Sequence, residues 1–336
     1  MRSRRIPVLV LAGFLGAGKT TVLNHLLATS LDLRIGVIVN DFGSIGVDAM
    51  LIGGQADGVV SLGNGCLCCT VGEGGVGPLL DRLAHPGTDI DVIVIEASGI
   101  AEPGVLVQLV LTCGNPHITY GGLVEVVDAA EFEATRRRHP EIDRHVGLAD
   151  LVVLNKADRV DPARLWRVRR LCRDANDRAP IVPASHGALD PRLLFDIRVV
   201  AGRQLMLGQV AQACDDHDGH LHAAYDVCSF VSDRPLDPRR FVDFLDRRPT
   251  GTYRVKGFVH FGTSGHRQRF GLHAVGRYLR FDRSPWPRGE PRRTTLELIG
   301  SGVDHDPLHA ALRACERTDP ADDDAMLAVL RYTFSG

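Results

Sequence analysis

The sequence predicts an α/β fold, a mostly parallel sheet with helices on both faces, followed by a smaller α+β unit. Three observations predict it. Short apolar runs without polar alternation recur through the first half of the chain, as strands buried on both faces require. The first run, Ile6 to Ala12, leads into a glycine-rich turn and then into apolar residues at helical spacing. After Pro191 the pattern changes to strands and helices that read as a small, mostly antiparallel unit.

Taken in order, IPVLVLA (6–12) reads as a strand, GFLGAGK as a loop and TVLNHLLATSL as a helix. Further buried strands are expected at 35–40 (IGVIVN), 92–96 (VIVIE), 123–128 (LVEVVD), 151–155 (LVVLN) and 181–184 (IVPA). The second unit reads AYDVCSFVS (strand), PRRFVDFLDRR (helix), YRVKGFVHF (strand), HRQRFGLHAVGRYLRF (strands), TTLELIGSG (strand) and PLHAALRACE (helix). Between the halves lies CDDHDGHLH (214–222), rich in Asp and His. The expected division is a first domain over 1–200, a linker over 201–224 and a second domain over 225–336.

With 336 residues and 44% hydrophobic content, the chain can bury a core in each unit. A net charge of −2 and only short arginine runs, such as Arg136 to Arg138, give no electrostatic case for nucleic acid. The apolar segment after Arg5 is too brief for a signal-peptide core or a spanning helix, so a cytoplasmic protein without membrane contact is expected. Eight cysteines are too few for a disulfide scaffold; Cys113, Cys172, Cys228 and Cys315 read as small buried hydrophobes. Lone histidines such as His25, His145 and His273 read as packing or surface residues. Of the 39 basic residues only Lys19, Lys156 and Lys256 are lysines, so a compact ammonium is a specific choice where it occurs.

Two of those lysines fall in motifs. Gly13-Phe-Leu-Gly16-Ala17-Gly18-Lys19-Thr20-Thr21 is a P-loop between a strand and a helix. In such a loop, backbone N–H groups from about Gly16 to Thr20 cradle phosphates, Lys19 bridges the terminal ones and the Thr20 hydroxyl ligates Mg²⁺. Glu96, at the end of VIVIE, is expected on the magnesium side, and Gly99 is placed to offer its N–H to a γ-phosphate. Asn155-Lys156-Ala157-Asp158 chooses the base. The Asp158 carboxylate can accept both the N1–H and the N2 amino group of guanine, which adenine does not supply, while Asn155 reaches N7 and the Lys156 stem covers the ring. GTP is therefore preferred to ATP, and the Ser185 region is a further expected part of the base pocket.

The stretch GNGCLCCTVG (63–72) places Cys66, Cys68 and Cys69 between glycines. Three thiolates suit tetrahedral Zn²⁺ with a fourth position weakly filled, as a site that hands its metal on requires. A Cys68–Cys69 disulfide is disfavoured by strain and by a reducing compartment, while a redox pair of Cys66 and Cys69 and ordinary buried cysteines are alternative readings. Set beside a P-loop and a guanine motif, the cluster reads as a metal site.

GFLGAGKTT, NDFGSIGVD, GNGCLCCT, IEASGIAEP and NKAD, in that order, resemble the motifs of the CobW-like GTPases, relatives of the GTPases that deliver nickel to hydrogenase and urease. SFVSDRPLDPRRFVDFL, YRVKGFVHF and LELIGSGVD resemble that family's C-terminal domain. The resemblance implies a P-loop GTPase that binds Zn²⁺, or Co²⁺ in the cobalamin branch, and delivers it to a client protein. By position, Lys19 and Thr20 serve phosphate and Mg²⁺, Asn155 and Asp158 serve guanine, and Cys66, Cys68 and Cys69 serve the metal. Asp41 stands where the family often has glutamate and is carried over as a metal-side residue; Ser44 replaces a second carboxylate. Cys214, His217, His220 and His222 match thinly a histidine-rich stretch found in many members. The implied state is a monomer or weak homodimer, with hydrolysis slow until a client acts as activator. Alternatives are a metal-sensing regulatory GTPase and a P-loop ATPase or kinase with structural zinc.

Overall fold

A computed structural model describes residues 5–30, 33–40, 59–62, 76–195, 226–263, 265–317 and 323–333, the backbone alone at Asn40, 59–62 and Asp323. Asp41, Cys66, Cys68, Cys69 and the 214–222 segment lie outside the described residues. The chain divides into two compact units, one of 1–145, 153–166 and 183–224, the other of 146–152, 167–182 and 225–336.

Among the described residues the first sheet has seven strands: β1 (Ile6–Ala12), β2 (Ile35–Asn40), β3 (Val59–Leu62), β4 (Val92–Glu96), β5 (Ile118–Asp128), β6 (Leu151–Asn155) and β7 (Ile181–Pro183). Their order is β3-β2-β4-β1-β5-β6-β7, with β1 parallel to β4 and β5, and β2 parallel to β3 and β4. All five residues of β4 and all five of β6 are buried, which is why their sequences show no alternation. The crossovers carry α1 (Lys19–Thr29), α2 (Val76–Leu83), α3 (Pro103–Thr112), α4 (Phe132–Arg138), α5 (Ile142–Leu148) and α6 (Pro162–Ala175), and a short α7 (Pro191–Leu194) follows β7.

The order matters for the site. β1 is followed in sequence by β2 on one side, while β5 lies on its other side, so the loops leaving the carboxyl ends of β1, β4 and β5 diverge at one point. In register, Leu11 lies opposite Glu96 and Ala12 opposite Glu125. The strand expected at 123–128 starts five residues earlier, and β3 was not expected, since four residues after a glycine and aspartate stretch carry little periodicity.

The second sheet is antiparallel: β8 (Asp226–Ser232), β9 (Thr252–Val259), β10 (Arg269–Val275), β11 (Tyr278–Ser284) and β12 (Thr294–Gly300), ordered β11-β10-β9-β12-β8. Cys228, Phe230 and Ser232 of β8 are buried while Val227, Ser229 and Val231 are exposed, the period of two that one covered face produces. Its core gathers Phe241, Leu245, Leu308, Leu312 and Val329 from α8 (Pro238–Asp246), α9 (His305–Ala314) and α10 (Leu327–Leu330). Asp237 caps α8 by accepting from the Arg240 N–H, with Pro238 at the first helical position. Lys256 is held 3.6 Å from Glu297, its register partner across β9 and β12. No described helix is long and apolar enough to cross a membrane.

Candidate functional site

The loop from Gly13 to Gly18 needs glycine at two places for reasons that can be read directly. A Cβ on Gly13 would lie 2.3 Å from Val126 O, where β5 passes beneath the loop. A Cβ on Gly18 would lie 2.3 Å from Asn155 Nδ2, and φ there is +96°, the left-handed region. Gly18 is the N-cap of α1 and offers no side-chain acceptor, so the first N–H groups of the helix are left for a ligand. Ala17 is buried and its N–H closes a turn on Phe14 O at 3.1 Å, while Thr21 is exposed on the first turn of α1.

Lys19 is 8% exposed, and its ammonium donates to Gly13 O at 3.0 Å and Phe14 O at 3.4 Å. The cation thus rests on the loop's own carbonyls. Thr20 Oγ1 donates to Glu96 Oε1 at 2.6 Å, joining the start of α1 to the end of β4. A hydroxyl and a carboxylate held together beside a phosphate cradle are hard oxygen donors of the kind Mg²⁺ takes, so the residues present fit that ion. Gly99 packs against the loop tip: a Cβ there would fall 2.7 Å from the Leu15 backbone nitrogen.

Asn155 is 2% exposed and works as a staple. Its Nδ2 donates to Ala17 O at 2.9 Å, and its Oδ1 accepts from the Gly187 N–H at 3.0 Å. The amide carries a second N–H beyond the one given to Ala17. Lys156 adopts φ +59°, an uncommon conformation for a side-chain-bearing residue, and its ammonium donates to Gly16 O at 2.7 Å and Asp128 Oδ2 at 2.6 Å. Asp158 follows on a 3-10 turn, exposed, with His186 Nε2 3.6 Å from its Oδ2. The phosphate loop, Glu96 and the Asn155–Asp158 segment are therefore brought to one end of the sheet, with 185–187 beside them.

Three participants escaped sequence reasoning. Asp128 holds Lys156 in place while its Oδ1 accepts from the Ala130 and Glu131 N–H groups; a carboxylate closing the buried run LVEVVD was its signal. Gly187 fits because a Cβ would come 2.7 Å from Thr21 C, a constraint invisible without the fold. Glu125, 1% exposed, lies under the loop; burial pushes its carboxyl up to about 8, with the positive charge of Lys19 opposing and the negative charge of Glu102 adding. Together with Phe14 to Ala17, Asp128 and Lys156 it lines a cavity of about 290 Å³.

Residues 7–183 match the model of the nucleotide-binding domain of CobW/HypB/UreG, and residues 225–316 match the C-terminal domain of the cobalamin synthesis protein cobW. A zinc chaperone CobW of Sinorhizobium sp is 32% identical, over 92% of this chain and 96% of its own length. The zinc chaperone YjiA of Escherichia coli is 37% identical over 57% of this chain and 61% of its own. The zinc-regulated GTPase metalloprotein activator 1 of Schizosaccharomyces pombe is 33% identical over 55% of this chain and 47% of its own. The chain belongs to the CobW/HypB/UreG family, with the CobW C-terminal domain following its nucleotide-binding domain.

Proposed function

We propose that this protein is a GTP-hydrolysing metallochaperone that binds Zn²⁺ at Cys66, Cys68 and Cys69 and delivers it to a client protein in a nucleotide-dependent way. The names of its relatives, two zinc chaperones and a zinc-regulated GTPase metalloprotein activator, support the class. In this reading 1–200 is the GTPase domain, 201–224 a linker and 225–336 the second domain. Lys19 and the N–H groups of Gly16 to Thr20 hold the phosphates, Thr20 and Glu96 hold Mg²⁺, and Asn155, Lys156 and Asp158 hold guanine. Bound there, Mg²⁺ would offset charge on the phosphates.

The observation that carries the coupling of nucleotide to metal is the place where the cysteine stretch begins. Leu62 ends β3 in register with Asn40, and Val39 is in register with Glu96. Two strand spacings separate β3 from β4, roughly 10 Å. The chain thus enters GNGCLCC from the same carboxyl end of the sheet that carries Glu96, and γ-phosphate contacts there can bias the geometry of the thiolates. Such coupling is reciprocal: if GTP changes zinc affinity, zinc changes GTP affinity by the same factor.

The test is a zinc titration against a chelating dye with a non-hydrolysable GTP analogue, with GDP and without nucleotide, in the native chain and in Cys66→Ser/Cys68→Ser/Cys69→Ser. Nucleotide-dependent affinity that vanishes in the triple variant is expected. Equal affinities in all three states sink the coupling. Zinc that leaves the protein only for a purified client, faster during GTP hydrolysis, distinguishes delivery from sensing.

A further inference from the structure

Glu125 interrupts the apolar run Leu123 to Val127 of β5. It lies in register with Ala12, the last residue of β1 before the phosphate loop, and its neighbour's carbonyl, Val126 O, fills the space above Gly13. The carboxyl is fully buried, and its Oε2 has no hydrogen-bond partner among the described residues. It faces Lys19 from α1 and Glu102 from the N-terminus of α3. Around the adjoining cavity stand Asp128, Glu131 and Lys156. Lys156 is paired with Asp128, and Glu102 is paired with Arg144 and lies 3.5 Å from His145 Nε2. Lys19 is therefore the cation acting on Glu125.

We propose that Glu125 is a proton-linked positioning residue of the phosphate loop: it is neutral when a nucleotide is bound, and when ionised in the empty site it competes with the phosphates for Lys19. The inference rests on the nucleotide-binding reading of the loop. In the structure the Lys19 ammonium sits on the Gly13 and Phe14 carbonyls at the start of the loop, and its charge acts on the buried carboxyl. A nucleotide brings several negative charges to that cradle and draws Lys19 towards them. An ionised Glu125 then meets like charge in a low-dielectric setting where salt screens little. A protonated Glu125 does not. Anion binding therefore favours the protonated carboxyl, and by linkage nucleotide affinity falls as pH rises through the range in which the empty site loses that proton.

The experiment is calorimetric titration of the full chain with Mg·GDP between pH 6 and pH 9.5, in buffers of different ionisation enthalpy, for the native protein and Glu125→Gln. Near pH 8.5 the native protein takes up a large fraction of one proton per GDP, and its affinity weakens about fivefold or more from pH 7 to pH 9. Glu125→Gln takes up none of that proton, keeps its affinity level and binds more tightly than the native protein at pH 9. Equal proton counts and equal pH slopes in the two proteins overturn the inference. The native measurement stands without any substitution: no proton uptake between pH 8 and pH 9 overturns it as well. Failure of both proteins to bind GDP at any pH overturns instead the nucleotide reading beneath it.

Discussion

The hydroxyl of Thr20 and the carboxylate of Glu96, 76 positions apart in sequence, meet in a 2.6 Å hydrogen bond that ties the first turn of α1 to the carboxyl end of β4. Removing either partner leaves the other buried or part-buried group short of a hydrogen bond and, on the proposed reading, strips an oxygen from the magnesium side of the site. Thr20→Ala and Glu96→Ala are each expected to lower kcat/KM for GTP hydrolysis about 100-fold or more. Phosphate release at saturating Mg²⁺ checks this, and unchanged turnover in a variant removes the replaced residue from the proposed metal site.

Gly18 and Asn155 occupy each other's space. Gly18→Ala combines a left-handed φ with a Cβ 2.3 Å from Asn155 Nδ2, and that amide is anchored on both sides by backbone. A loss of more than about 2 kcal/mol in folding stability is expected, together with loss of nucleotide binding. Denaturant unfolding and fluorescent-nucleotide binding report the two effects separately; wild-type values in both contradict the packing described.

On the proposed reading, base choice rests on Asp158. Replacing its carboxylate by the Asn amide presents one donor and one acceptor where guanine offers two donors, but matches the N1–H and the C2 carbonyl of xanthine. Asp158→Asn is expected to weaken GDP by about 100-fold and to prefer XDP. Competition between the two nucleotides measures it, and an unaltered preference for GDP would place the base elsewhere.

Stability should carry the mark of Glu125. Its folded value, about 8, lies above the ordinary carboxylate value near 4.5, so the folded protein holds a proton that the unfolded chain has released. The associated stability is fully present below about pH 4.5 and is lost progressively as pH rises towards about 8. Glu125→Gln, which stays neutral, is expected to gain on the native protein across that window, by roughly 2–4 °C in melting temperature for each kcal/mol involved. Parallel melting curves over the window count against a buried neutral carboxyl.

Much of the first domain was legible because its signals are local. The strand, glycine loop and helix around Lys19 are contiguous, and NKAD ends a run of five buried residues, so type and spacing sufficed. Glu125 was legible only as a charged residue inside an apolar run; its meaning comes from register with Ala12, a relation across 113 residues that no pattern in β5 encodes. Asn155 was read as a base contact, whereas the fold adds a structural duty between Ala17 and Gly187, 32 positions further on. The third lysine, Lys256, looked as selective as the other two in composition, yet it lies beside the carboxylate of Glu297 across the sheet.

The amide of Asn155 joins the turn that would hold phosphate to the turn beside which a base would lie, through one rigid side chain. Ordering either turn removes freedom from the other in advance, so the two halves of a nucleotide are not independent guests. A nucleoside and a pyrophosphate offered as separate molecules would each find the pocket better prepared by the other, and the discrimination exercised on the base would be felt as firmness at the phosphates.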